Sequence, residues 1–194
     1  MSVGGENWYR AAQEPAPTVV YRNPWFEIKS RDGYFSLEYG YPQVVILPLV
    51  QEKVLLIRVR RPLIDDEPWE LPAGGSDRGE TPKVAARREL HEETGILVED
   101  LERFEPLTLV SEMPNRSPEL LICFQVNITP EEFALRGEHE KEITEMRIWE
   151  DDQIKEAICS GEFYLAAPTA ILARHLFRQE QGKTGKQKTG DTAC

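Results

Sequence analysis

Two apolar, β-branched runs, Gln43–Val50 and Lys53–Val59, stand almost back to back, separated only by the polar pair Gln51-Glu52. Runs this short and this apolar read as core strands. Residues 18–21, 25–29 and Tyr34–Tyr39 precede them as shorter strand-like runs, and Asp32-Gly33 between the last two marks a hairpin turn. A Gly/Pro-rich loop follows at 71–79. Residues 81–94 then read as a helix, with Thr81 at the N-cap, Pro82 in the first turn and Gly95 just past the end. Further strands are expected at 104–110, 120–128 and Ile143–Trp149, and helices at Asp151–Ser160 and 168–178. This order predicts an α+β or α/β sandwich: a mixed sheet packed between helices, with a β-hairpin segment in front.

Composition narrows the class. The chain is 194 residues long, enough for one domain with an accessory segment. Its formal net charge is −11, which repels nucleic acid and acidic membranes, so neither is expected as a partner. No apolar run approaches the ~20 residues of a membrane span. No secretion signal is read at the N-terminus. The three cysteines (Cys123, Cys159 and Cys194) lack metal-ligand spacing and read as two core thiols and one tail thiol, consistent with a cytoplasmic setting. His91, His139 and His175 likewise form no ligand spacing and read as surface or helix residues.

The segment that carries chemistry runs from residue 74 to 96, GGSDRGETPKVAARRELHEETGI. On a helix, Glu89, Glu92 and Glu93 fall within an arc of about 100°. Like charges at such spacing repel by a few tenths of a kcal/mol per pair. A bound divalent cation reverses that sign, and clustered carboxylates suit a hard ion such as Mg²⁺. Three glutamates alone would read as a solvated acidic face.

Their surroundings decide otherwise. Gly74, Glu80, Arg88, Glu89, Leu90, Glu92, Glu93, Gly95 and Ile96 occupy the nine specified positions of the Nudix box. A chance match is on the order of one in ten million at ordinary residue frequencies. Over residues 18–178 the chain resembles the Nudix hydrolases, which implies a Nudix-type α/β/α sandwich and hydrolysis of a nucleotide diphosphate linkage. The resemblance implies Glu89 and Glu93 as main metal ligands with Glu92 close by, Arg88 as the residue that orients them, and Glu80 as loop support or as a metal ligand through water. The cofactor implied is Mg²⁺, with Mn²⁺ as a substitute. It also implies a general base on the loop at 137–145, for which Glu140 is the first choice, Glu142 the second and Glu138 the third.

The residues before the box, Trp69-Glu70-Leu71-Pro72-Ala73-Gly74-Gly75, are similar to the ADP-ribose and ADP-sugar diphosphatase branch. That likeness implies the Ala73 carbonyl as a metal ligand and Glu70 as a substrate contact. Arg60 and Arg61 would supply local positive charge for a diphosphate. Trp25 and Phe26 are candidates for stacking on a base, although burial in the core is the plainer reading of both. The expected reaction is ADP-ribose to AMP and ribose 5-phosphate. GDP-mannose, a nucleoside triphosphate, or a non-catalytic binding module are the alternatives. The expected domains are an arm and hairpin at 1–42 that pairs two chains into a homodimer, a hydrolase domain at 43–178, and a disordered tail at 179–194.

Overall fold

The computed structural model describes residues 8–10 and 14–190, with side chains described as far as Gln181. Strands β1 (Thr18–Arg22), β2 (Phe26–Arg31) and β3 (Tyr34–Tyr39) form an antiparallel sheet of their own. Between β2 and β3, Asp32 and Gly33 both adopt positive φ, 50° and 81°, the pair of left-handed residues that a two-residue hairpin turn requires.

The second sheet has seven strands. Its centre is the antiparallel pair β4 (Gln43–Val50) and β5 (Lys53–Val59). Two short strands, β6 (Trp69–Glu70) and β7 (Ala73–Gly75), pair with β5 and β4. After helix α1 (Pro82–Thr94) come β8 (Glu105–Pro106) and β9 (Ile122–Ile128), the latter parallel to β4, so the sheet is mixed. Helix α2 (Pro130–Ala134) leads to β10 (Ile143–Trp149), which closes the far edge against β5, and helices α3 (Asp151–Ser160) and α4 (Ala166–Gly190) follow.

Alternation along β4 shows why the sheet needs a helix layer on each face. Val44 and Ile46 pack with Ala85, Ala86 and Leu90 of α1, while Val45, Leu47 and Leu49 pack with Ile154 of α3 and Ile171 and Leu172 of α4. Each fully buried leucine or isoleucine here contributes roughly 1.5–3 kcal/mol. The expected α/β/α sandwich is the observed one.

The three-stranded sheet is built differently. Its one fully buried charged side chain, Glu38, accepts hydrogen bonds from Lys29 Nζ (2.7 Å), Tyr9 Oη (2.8 Å) and Ser36 Oγ (2.6 Å). Burial alone would raise the Glu38 pKa, but these three donors outweigh it and hold the carboxyl below its ordinary value. The segment at 116–119 joins the two sheets: Leu37 N–H donates to Arg116 O (2.8 Å), and Tyr39 N–H to a Glu119 carboxylate oxygen (2.6 Å).

Several expectations need correction. The strand expected at 104–110 is mostly irregular: a 3₁₀ turn at Leu101–Arg103, the two-residue β8, and one bridge from Val110 to Leu121. The loop at 71–79 contains β7, and α2, fixed by a capping box between Thr129 and Glu132, was not expected. The backbone of α4 stays helical to Gly190, through most of the stretch read as a disordered tail; residues 191–194 lie outside those described. Trp25 is not in the core but 75% exposed at the β1–β2 turn, and Phe26 is only half-buried. Cys123 is buried but Cys159 is exposed, and Cys194 lies outside the described residues. His175 is buried on α4, where burial draws its ring pKa down. Among the described residues no helix is long and apolar enough to cross a membrane.

Candidate active site

Helix α1 begins where Thr81 accepts a hydrogen bond from Val84 N–H and ends where Gly95 takes a left-handed φ of 69°. Its buried face anchors Ala85, Ala86 and Leu90, which leaves the glutamates at the edge of the core. Glu93 is 8% exposed and accepts from Ala73 N–H at 2.9 Å. Burial pushes its carboxyl up to about 8; the Ala73 N–H opposes that shift, while the Glu89 and Glu140 charges reinforce it. Burial also raises the Glu89 pKa against the pull of Arg88, with Glu92 and Glu140 adding to the rise.

Arg88 is the hub of the loop–helix unit. It donates to both Glu80 oxygens (3.1 and 3.0 Å), to Glu89 (2.8 Å), to Glu92 (2.8 Å) and to the Gly75 carbonyl (2.7 Å). Charge-assisted bonds of this kind fix side-chain direction. Glu80 is tied again by Asp77 N–H (2.8 Å), and the Arg88 bond is the main reason its pKa is lowered. Gly74 passes so close to Glu89 that a Cβ there would lie 2.2 Å from the carboxyl carbon. A side chain at position 74 would displace that carboxylate.

The loop at 137–142 is fastened to the end of α1. Gly137 N–H donates to Gly95 O, and Glu140 N–H to Glu92 O, each at 2.9 Å. This places the Glu140 charge where both Glu89 and Glu93 feel it. Glu142 accepts through its backbone from Arg60 N–H (3.0 Å), and its charge acts on Arg61. Glu138 is exposed.

On the opposite side, Arg61 presents a two-pronged bond to Glu70 (2.7 and 2.8 Å), and its guanidinium also feels Glu93 and Glu142. Arg60 pairs with Asp65 (2.6 Å) on the same turn. Tyr164, ahead of α4, secures that turn by donating to Asp66 (2.7 Å). The structure therefore brings together Ala73, Glu80, Arg88, Glu89, Glu92, Glu93 and Glu140, with Arg61 and Glu70 beside them. It leaves Trp25 and Phe26 on the other sheet. The contributions of Gly75 O, Ala73 N–H and Tyr164 Oη were not visible in the sequence, because each depends on a contact between distant segments.

Among the described residues no three carboxylate, imidazole or thiol groups already close around a metal ion. The donor set is nevertheless of the right chemistry. Every acidic group is a hard oxygen donor, Glu93 is buried and Glu89 half-buried, both with raised pKa values, and Gly74 leaves room beside them. An ion of the Mg²⁺ type takes one or two carboxylates and completes its shell with water and phosphate oxygens.

A family model described as the NUDIX domain matches residues 40–165. The chain belongs to the Nudix family. Among the similar proteins are an 8-oxo-(d)GTP phosphatase of Mycolicibacterium smegmatis, 60% identical over 37 residues, covering 19% of this chain and 11% of that protein. Nudix hydrolase 25 of Arabidopsis thaliana is 47% identical over 47 residues, 24% of this chain and 22% of its own length. An RNA pyrophosphohydrolase of Pseudoalteromonas translucida is 56% identical over 34 residues, 18% of this chain and 20% of that protein. The chain thus spans only a small fraction of the length of these Nudix relatives. A crystal structure described as an ADP compounds hydrolase superposes with a TM-score of 0.63 at 20% identity, over 91% of this chain and 98% of that one. That likeness establishes the fold.

Proposed function

We propose that this Nudix chain is a divalent-metal-dependent hydrolase of nucleoside diphosphate sugars, with ADP-ribose, split to AMP and ribose 5-phosphate, as its preferred substrate. The observation that carries the reading is the placement of Glu140: its N–H bonds the Glu92 carbonyl from a separate loop, so that its charge acts on both the half-buried Glu89 and the buried Glu93. That is the arrangement needed for a base facing a cation-binding cluster.

Glu89 and Glu93, with Glu92 and the Ala73 carbonyl, would hold the cation, Mg²⁺ or in its place Mn²⁺. When bound it supplies Lewis-acid polarisation of the phosphates and a water of lowered pKa. Arg88 keeps Glu89 and Glu92 aimed. Arg61, backed by Glu70, and Arg60 hold the diphosphate in a protein whose net charge is otherwise −11. Glu140 takes the proton of the attacking water as the P–O bond of the anhydride breaks, with Glu142 the next candidate.

The ADP-compound preference draws on the Glu70-Leu71-Pro72-Ala73-Gly74 lead-in and on the shared fold of the ADP compounds hydrolase. The Nudix relatives named for 8-oxo-(d)GTP and RNA keep other nucleotides in contention, but an RNA substrate sits poorly with the strong negative charge. A binding module without catalysis is disfavoured because Glu80, Glu89, Glu92 and Glu93 are all present. We also take the chain to act in the cytoplasm as a homodimer. The N-terminal sheet leaves Val20, Tyr21 and Trp25 exposed, an apolar surface suited to a second copy.

The test is to incubate the protein with Mg²⁺ and ADP-ribose, ADP-glucose, GDP-mannose and nucleoside triphosphates, and to identify products. Release of AMP from ADP-ribose is expected. Turnover of triphosphates alone would remove the ADP-sugar reading, and no turnover of any would favour the binding module.

A further inference from the structure

A cavity of about 940 Å³, lined by no residue of the carboxylate cluster, opens between the N-terminal sheet and the segment at 111–120. Its volume falls within the ~300–1,000 Å³ common for small-molecule sites. Three arginines from three separate segments line it: Arg10, Arg31 and Arg116. Elsewhere Arg22, Arg58, Arg60, Arg61, Arg88 and Arg103 each pair with a carboxylate. Among the described residues the Arg116 side chain bonds the neighbouring Asn115 carbonyl (3.0 Å), and Arg31 donates its Nε to the Pro15 carbonyl (2.9 Å) and reaches the Tyr9 hydroxyl. Among the described residues none of the three forms an ion pair, although the chain carries 34 acidic side chains against 23 basic ones.

The backbone holds these arginines in place. Arg10 N–H donates to Pro118 O (2.9 Å), Leu37 N–H donates to Arg116 O (2.8 Å), and Arg31 sits opposite Tyr34 at the end of the β2–β3 ladder. Tyr34 and Phe35 add aromatic surface to the same lining, and Asp32 is its single carboxylate among the described residues.

We infer that this cavity is a second anion site that takes a nucleoside monophosphate, its phosphate on the arginines and its flat base against Tyr34 and Phe35. Guanidinium groups recognise phosphate through paired N–H bonds, and three that have no carboxylate partner among the described residues concentrate positive potential in a chain of net charge −11. Aromatic rings supply the stacking surface a base requires. None of the lining residues belongs to the carboxylate cluster, so binding here does not depend on the proposed hydrolysis.

The experiment is calorimetric titration of AMP into the full chain in EDTA, so that no divalent ion recruits phosphate to α1. Saturable binding is expected, weakened about tenfold or more by Arg116→Gln and by Arg10→Gln, and unaffected by Arg61→Gln. Inorganic phosphate and adenosine, titrated separately, should each bind more weakly than AMP. Circular dichroism shows whether each variant is folded. Absence of saturable binding at millimolar AMP would overturn the inference. So would binding lost in Arg61→Gln but intact in Arg116→Gln and Arg10→Gln. A chain that binds AMP here yet hydrolyses nothing would sink only the hydrolase reading.

Discussion

Two buried glutamates, one in each sheet region, are treated in opposite ways. Glu38, 1% exposed, receives a lysine, a tyrosine and a serine, and its carboxyl is held below the usual range. Glu93, 8% exposed, receives one backbone N–H and the negative charges of its neighbours, and is pushed up to about 8. A buried carboxylate costs several kcal/mol unless it is paired. At Glu38 the protein supplies the counter-charge itself, so that residue serves the fold. At Glu93 the nearby positive charge is Arg61, whose hydrogen bonds go to Glu70, which leaves the site suited to a cation from outside.

The largest expected consequence is on activity. Glu93→Gln should lower turnover by orders of magnitude while leaving the melting temperature within a few degrees of the original. Added Mg²⁺ should raise the melting temperature of the original chain and not of this variant, because only a protein that binds the ion gains by mass action. Near-normal turnover would remove Glu93 from the ligand set. Arg88→Lys should lower turnover by roughly 10–100-fold, the range for losing a group that aims metal ligands. Retained activity would show that its five bonds are dispensable.

The reverse pattern is expected at the other glutamate. Glu38→Ala should cost about 3 kcal/mol in a denaturant titration, the low end for breaking a buried pair because Lys29 is 21% exposed. Turnover per folded molecule should stay unchanged, and a large loss would mean that the two regions are coupled. Leu90→Ala, under the glutamates of α1, should cost about 2–5 kcal/mol, since it empties a fully buried site.

The smallest effect should come from Glu119, at the junction between the sheets. Burial is the main cause that pushes its carboxyl from 4.5 to about 7, with Tyr39 N–H opposing and the Glu38 charge assisting. The unfolded chain therefore gives up this proton at lower pH than the folded one. Over the window from about 4.5 to 7 the folded state binds more protons, so its stability falls as pH rises. Glu119→Gln should flatten that slope in melting curves between pH 5 and pH 7, and an unchanged slope would assign it to other groups.

These contrasts were unevenly legible. The glutamates of α1 could be read because they repeat along a single helix, where spacing alone sets direction. The strands β4 and β5 were legible because their apolar runs are long and β-rich. Glu38 looked like any surface glutamate, since its partners Lys29 and Tyr9 meet it only through sheet pairing and an N-terminal contact. The region at 104–110 misled because Phe104, 0% exposed, is apolar for packing rather than for strand pairing, and Pro106 suits only an edge strand. Composition suggested disorder after residue 178, yet α4 continues without a break. Trp25 shows the limit of the rule that large aromatics go inside.

The abutment of Gly95 on Gly137 carries a further consequence. A methyl group on Gly95 would fall 2.4 Å from the Gly137 carbonyl, so these two stretches of main chain touch with no room for a spacer. The reach from Glu140 to the α1 carboxylates is thus gauged by peptide geometry, like a fixed jaw on a vice, rather than by the swing of long side chains. Any residue other than glycine at position 95 would open that jaw and misalign the two halves of the centre together, even though it alters no acidic group.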